Sequence, residues 1–305
     1  MSNRYKKLTG FILFACLTLI WQGCNIINPV EPIPTYIHID SFKFQSNPAL
    51  VGLNLPTTHS ISNVWVYYNN NPIGEFDLPC TIPIITNGTE QVELVPGVIV
   101  NGLNSLTGIY PFYTADTFTL VPQPGKTINV APVTMYNTAV DYDQGNQWIS
   151  NFLGITKFNW VEGSSPTIPM LAIPPIPAND SLVVGDGSYS GSVVFTVAGD
   201  SAIYESSDTF IIASTVQDAY VEFDYKSSLP FYVGLSSNLN ATLGSSAYYL
   251  GGFYPSDTWQ HVYLTVDGFV SQYPGSSYNF FVKTSMPSGQ FYGRLLLAHI
   301  HLLTD

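Results

Sequence analysis

Hydrophobic and polar residues alternate one for one along much of this chain. Ile37-His38-Ile39-Asp40, Gln91-Val92-Glu93-Leu94-Val95 and Tyr220-Val221-Glu222-Phe223-Asp224-Tyr225-Lys226 all repeat at period two. Successive side chains of a strand point to opposite faces, so this pattern predicts half-buried β-strands. Val64-Trp65-Val66-Tyr67-Tyr68 is a further strand, closed by the turn formers Asn69-Asn70-Asn71-Pro72 before Ile73-Gly74-Glu75-Phe76 restarts. In the second half, strands are expected at 192–198, 210–214, 219–226, 231–235, 259–266, 278–283 and 291–303. Nothing over 37–136 sustains a 3.6 period for three turns. The expected class is all-β: a small antiparallel β-sandwich over 37–136, then a β-jelly-roll sandwich over 137–305.

Composition narrows the function classes. Only 10% of residues are charged, while aromatics reach 14% and apolar residues 46%. That is too apolar for a disordered chain, and 24 Gly with 22 Pro is too punctuated for a long helical bundle. Nine basic residues against 21 acidic ones argue against nucleic acid, whose phosphates require a basic face. No nucleic-acid partner is expected.

The first residues give an address. Arg4, Lys6 and Lys7 precede an almost wholly apolar run from Leu8 to Trp21, which reads as a secretory signal and is short for a membrane span. The run ends in Leu19-Ile20-Trp21-Gln22-Gly23-Cys24, which resembles a bacterial lipobox, with Trp21 where that family prefers Leu, Val or Ala. The resemblance implies a signal peptide over 1–23 and a diacylated Cys24. An uncleaved signal anchor is the alternative, and Leu13-Phe14-Ala15-Cys16 is a competing lipobox with too short a hydrophobic core. Asn25 after the cysteine implies, by the sorting rule of such lipoproteins, the outer membrane; the lack of an acidic run beyond it leans towards the periplasmic face. Residues 24–36, with Pro29, Pro32 and Pro34, form a Pro-rich tether. Loss of residues 1–23 removes three of the nine basic residues and none of the 21 acidic ones, giving a net charge of −15. Attachment is therefore by lipid and not by a basic patch. Cys80 is then the only remaining thiol, so no internal disulfide is expected; it sits in the apolar stretch Leu78-Pro79-Cys80-Thr81-Ile82-Pro83.

Two further resemblances bear on the rest. Val64-x-Val66-x-x-Asn69-x-x-x-Ile73-Gly74, then Leu78-Pro79, Gly88 and Val92-x-Leu94-x-Pro96-Gly97, resembles the PEGA-type or carboxypeptidase-regulatory-like β domains of exported bacterial proteins. Such domains act as spacers or interaction modules. Tyr220–Lys226, Trp259-Gln260-His261-Val262-Tyr263-Leu264-Thr265 and Leu295-Leu296-Leu297-Ala298-His299-Ile300-His301-Leu302 are similar to strands of the galactose-binding-like jelly rolls, which include many carbohydrate-binding modules. Ala298 stands where that family often has Asp, so no calcium site is carried over.

No complete catalytic constellation is present. Gly293-x5-His299-x-His301 matches the opening of the cupin metal motif, but the chain given ends before the Glu and Gly that complete it, and no metal or cofactor is assigned. Glu222 and Asp224 share one strand face about 7 Å apart, and a solvated face is the expected reading. Gly187-Ser188-Tyr189-Ser190-Gly191 has Tyr where a hydrolase elbow needs Ser. Asn101-Gly102 and Tyr110-Pro111-Phe112-Tyr113 are read as loop packing. The candidate ligand-binding residues are aromatic: Tyr248, Tyr249 and Tyr254, set around Gly251-Gly252, with Trp148 as an outlier. The expectation is a non-catalytic envelope lipoprotein that binds a glycan or similar polymer through 137–305. The alternative is a scaffold or assembly lipoprotein docking on another envelope protein through 37–136.

Overall fold

A computed structural model describes residues 31–86, 88–138, 148–153, 158–163, 168–174, 188–213, 216–237, 247–266, 268 and 277–305. The signal segment, Cys24 and much of the proline-rich stretch 164–180 lie outside those residues. Among the described residues the architecture is all-β, with a short 3-10 turn at Pro48–Leu53.

In the N-terminal part, Thr35–Ile39 lies between Cys80–Ile84, antiparallel to it, and Thr127–Val130, parallel to it. A second sheet runs Asn71–Asp77, Ile61–Tyr68, Glu90–Ile99, and the two ends of Glu90–Ile99 pair with Asp116–Leu120 and Thr107–Ile109. Asn69 and Asn70 both take positive φ, 48° and 58°, as a two-residue hairpin turn requires, and Asn tolerates this region better than most residues. The alternate residues Ile37, Ile39, Val64, Val66, Ile82, Ile84, Val92 and Leu94 are fully buried and form the core between these sheets.

The C-terminal part is a sandwich of two six-stranded antiparallel sheets. The first runs Leu171–Ile173, Ser190–Phe195, Gly293–Thr304, Ala219–Ser227, Ser256–Thr265, with Trp148–Ser150 also paired to Gly293–Thr304. The second runs Phe158–Gly163, Ser201–Ser206, Ser277–Ser285, Phe231–Ser237, Ala247–Phe253, with Phe210–Ile211 also paired to Ser277–Ser285. Val221, Phe223, Val233, Leu235, Phe280, Val282, Leu295 and Leu297 fill the space between them. Phe223 meets Phe253 at 5.4 Å and Phe280 at 6.2 Å.

The first sheet is covered on its other face too. Alternation along Ala219–Ser227 places Glu222 and Asp224 away from the sandwich core, and a solvated face is the simplest expectation from that pattern. The structure corrects it: both carboxylates are buried, because the N-terminal part lies over them. The contact is made by the two motifs that fit no strand pattern. Tyr110, Phe112 and Tyr113 form one buried aromatic layer with Tyr220, Tyr263 and Leu303 of the sandwich. The Asn101-Gly102 turn extends the sheet edge: Asn101 N–H donates to the Tyr263 carbonyl at 2.8 Å, and Thr265 N–H donates to Asn101 Oδ1 at 3.0 Å.

Candidate functional site

The covered face holds the densest group of ionisable side chains among the described residues. Glu222 accepts the Tyr110 hydroxyl on Oε1 and the Tyr136 hydroxyl on Oε2, the latter at 2.6 Å. His301 Nε2 lies 2.9 Å and His261 Nε2 3.7 Å from the same Oε2. Asp224 accepts Thr58 Oγ1 at 2.7 Å on Oδ2, with His299 Nδ1 at 2.6 Å from that oxygen and His261 Nδ1 at 3.0 Å from Oδ1. Register explains the convergence. Glu222 faces His301 and Tyr263 across the two neighbouring strands, and Asp224 faces His261 and Ala298. The span Ala298–His301 has one residue more than Glu222–Asp224, a bulge in which His299 takes φ +51° and turns its ring to Asp224.

Burial alone would raise both carboxyl pKa values. For Glu222 the charges and hydrogen bonds of His301 and His261 outweigh it, for Asp224 those of His261 and His299, and both acids stay well below the usual carboxylate range. Burial would lower His261, but Asp224 and Glu222 together raise it to about 10. Burial first, then Glu222 and neighbouring tyrosines for Tyr110 and Tyr113, and Glu222 and Asp224 for Tyr263, push these hydroxyls far above their ordinary value, so all three keep their protons. The carboxylate oxygens are already taken by protein donors and closed off from solvent. Such an arrangement fastens two parts of a protein together; it offers no carboxylate to a substrate. Among the described residues, no group of three or more His, Cys, Asp and Glu could hold a metal ion.

Among the described residues, the outer face of the second sheet is exposed at Tyr232, Tyr249 and Lys283, while Phe281, Ser236 and Asn279 on the same face are buried. Tyr249 stands on the edge strand Ala247–Phe253, a segment that aromatic and glycine content alone suggests is a loop. Pairing with Phe231–Ser237 makes it a strand. Tyr249 is 48% exposed, and its ring stands edge-on over buried Phe281 at 5.2 Å. Tyr232, on the neighbouring strand, is 53% exposed and meets Tyr249 at 6.0 Å. Lys283 Nζ lies 6.0 Å from the centre of the Tyr249 ring, and Ser236 Oγ donates to Glu205 in the adjoining row. Glycines make the rings fit. A Cβ on Gly252 would come within 2.7 Å of the Tyr232 ring, and one on Gly234 within 2.5 Å of the Phe281 ring. The result is two half-exposed rings with a cation beside them, and an acid and hydroxyl in the adjoining row.

The four residues expected from sequence do not form one platform. Tyr249 is part of this face. Tyr248, the next residue along the edge strand, pairs with Leu235, whose side chain belongs to the inner core, and is 42% exposed. Tyr254 follows the strand, is 85% exposed, and lines a cleft against the N-terminal part. The backbone of Trp148 pairs with His301 in the first sheet, so it belongs to a different sheet from the tyrosines. Sequence reasoning missed Tyr232 and Lys283 as partners of Tyr249. Aromatics alternating with Gly234 and Gly251-Gly252 on two segments were the available signal, but only register joins them.

No family model matches the chain, and no curated protein matches it. Solved structures do. One, described as a promiscuous carbohydrate-binding module of the β-sandwich superfamily, is 13% identical, with 79% of this chain and 84% of that chain covered at a TM-score of 0.36. A family 61 carbohydrate-binding module in complex with β-1,4-galactotriose is 8% identical, covering 48% of this chain and 88% of its own, at 0.33. The enzymatically active domain of a bacteriophage CBA120 tailspike protein is 10% identical over 59% of this chain and 25% of its own, at 0.37.

Proposed function

We propose that the protein is a non-catalytic, lipid-anchored envelope protein that binds a neutral glycan on the outer face of the second sheet. One observation carries the reading: the Tyr232–Tyr249 pair, half exposed and seated against glycine-flattened backbone, lies on the sandwich face that the N-terminal part leaves open. Aromatic rings stack on the C–H faces of a pyranose, while exposed Lys283 and half-buried Glu205 supply a donor and an acceptor for its hydroxyls. The N-terminal part occupies the other sheet, which leaves the exposed positions of the second sheet as the surface of the sandwich that can meet a ligand. Acylation at Cys24 and residence in the outer membrane, periplasmic face favoured, complete the proposal; Cys24→Ala should leave an uncleaved precursor that takes up no radioactive palmitate.

The test is a glycan array followed by calorimetry on the strongest hit. Tyr232→Ala with Tyr249→Ala should weaken binding by roughly ten- to several-hundredfold, each lost stacking contact being worth about 1–2 kcal/mol by analogy with base stacking. Unchanged affinity would reject the platform. Capture of an envelope protein in place of any glycan, lost on substitution of exposed Leu103, Leu106 and Ile109 in the N-terminal part, would favour the scaffold alternative.

A further inference from the structure

Gly252 belongs to two surfaces. It faces Tyr232 across the outer sheet, and it also lines a cleft of about 250 Å3 between the N-terminal part and the sandwich edge. Ser60 and Asn104 enter that cleft from one side, and Tyr254, Gln260 and His261 from the other. The open face and the cleft therefore meet around the edge strand Ala247–Phe253.

The chemistry of the cleft is that of a small hydroxyl-rich ligand. Tyr254, among the most exposed rings of the described chain, stands at it and offers a stacking face. Gln260 Nε2 donates to Thr258 Oγ1 at 2.9 Å, which fixes the carboxamide and leaves its oxygen for a ligand hydroxyl. Ser60 is pinned by its N–H to the Tyr263 hydroxyl at 2.9 Å, and Asn104 is an exposed amide on the Asn101–Leu106 turn. The charge of His261 is already paired with Asp224 and Glu222, so the cleft has no spare cation for an anionic ligand. Its volume lies below the usual range for drug-sized ligands, roughly 300–1,000 Å3, and suits a single sugar ring better than a strand of polymer passing through.

We propose that this cleft holds the terminal residue of a neutral glycan chain whose next residues lie over Tyr232 and Tyr249. This rests on the glycan reading above and makes it specific: the protein recognises chain ends, and the N-terminal part builds half of the end site. A jelly roll without Ser60 and Asn104 would lack it.

The experiment uses the full chain and a panel of linear neutral hexasaccharides, with mannohexaose included. Each is tested intact, with its reducing end reduced, and with its non-reducing terminal ring opened by oxidation. Wild type should lose about tenfold in affinity on modification of one end and little on modification of the other. Asn104→Ala with Gln260→Ala, both exposed positions, should lose about tenfold for the intact sugar, as two hydrogen bonds imply, and become indifferent to that end. Tyr232→Ala with Tyr249→Ala should bind more weakly yet keep the end preference. Wild type indifferent to both ends, or a cleft variant with wild-type affinity, overturns the end site and leaves the platform standing. Retained affinity in the platform variant together with end preference rejects the platform and leaves the cleft. Binding of none of the panel by wild type overturns both.

Discussion

His261 Nδ1 lies 3.0 Å from Asp224 Oδ1, and the two residues are direct cross-strand partners on a sheet face closed off from water. In a lone sandwich this pair would be an exposed rim contact worth a few tenths of a kcal/mol. Here Thr58, Tyr110, Tyr113 and Tyr136 of the N-terminal part cover it, and the same two side chains become a buried ion pair that neither part can expose cheaply.

The first prediction concerns pH. His261 is raised from 6.5 to about 10 on folding, so its contribution is complete below 6.5 and is lost as pH rises through 10. Glu222 and Asp224 are depressed from 4.5 and 3.8, so theirs is present above those values and lost in acid. His59, stacked on Phe44 at 5.3 Å, is lowered by burial and by His261, and so it opposes acidification below 6.5. Stability should therefore peak near pH 6–6.5 and fall towards pH 9, by at most about 1.4 kcal/mol per unit from His261. Thermal melts across that range check it. Asp224→Asn should flatten the alkaline limb; an unchanged slope would put the dependence elsewhere.

Breaking the cluster should cost more than its exposed counterpart would. Glu222→Ala takes the carboxylate from beside His301 in a closed site, leaves His261 with Asp224 alone, and removes the acceptor of the Tyr110 hydroxyl and one acceptor of the Tyr136 hydroxyl. Loss of one partner of a buried pair costs about 3–5 kcal/mol. Urea unfolding should show it, and a loss below about 1 kcal/mol would mean that water reaches the site.

What the sequence made legible was one face of each strand. Val64, Val66, Val92, Leu94, Val221 and Phe223 stand at period two and are buried as that period demands. The other face of Ala219–Ser227 was not legible, because alternation says where a side chain points and not what covers it. Glu222 is satisfied by Tyr136 and Tyr110, 86 and 112 residues away, and Asp224 by Thr58, 166 away. Tyr249 could be singled out from its glycine-rich surroundings. Its partner Tyr232 could not, since the pairing of Gly234 with Tyr249 and of Tyr232 with Gly252 is a matter of register.

The segment 138–305 should fold alone, because the core between its two sheets is its own. It should also melt below the full chain. On its own it would expose Tyr220, Tyr263 and Leu303 and hydrate Glu222 and Asp224. Calorimetry of the fragment beside the full chain measures the gap. Equal midpoints would show that the junction contributes no stability, and a non-cooperative, dye-binding fragment would show that the sandwich depends on its neighbour.

Tyr249 and Tyr254 separate a seated ring from a displayed one. Tyr249 covers Phe281, which is fully buried although it belongs to the outer face, and it meets Tyr232 edge-on. Its truncation uncovers Phe281 and removes two ring contacts, each worth about 0.5–1.5 kcal/mol beyond area, so Tyr249→Ala should cost roughly 1–3 kcal/mol. Tyr254 is 85% exposed, and its carbonyl, not its ring, is placed to accept the Tyr225 hydroxyl at 3.5 Å. Tyr254→Ala should stay within about 0.5 kcal/mol of wild type. Equilibrium denaturation of the two single variants decides this before any ligand is known. Equal costs would mean that Tyr249 is not fixed by its neighbours, and a ring free to swing away from Phe281 could not be half of a preformed stacking surface.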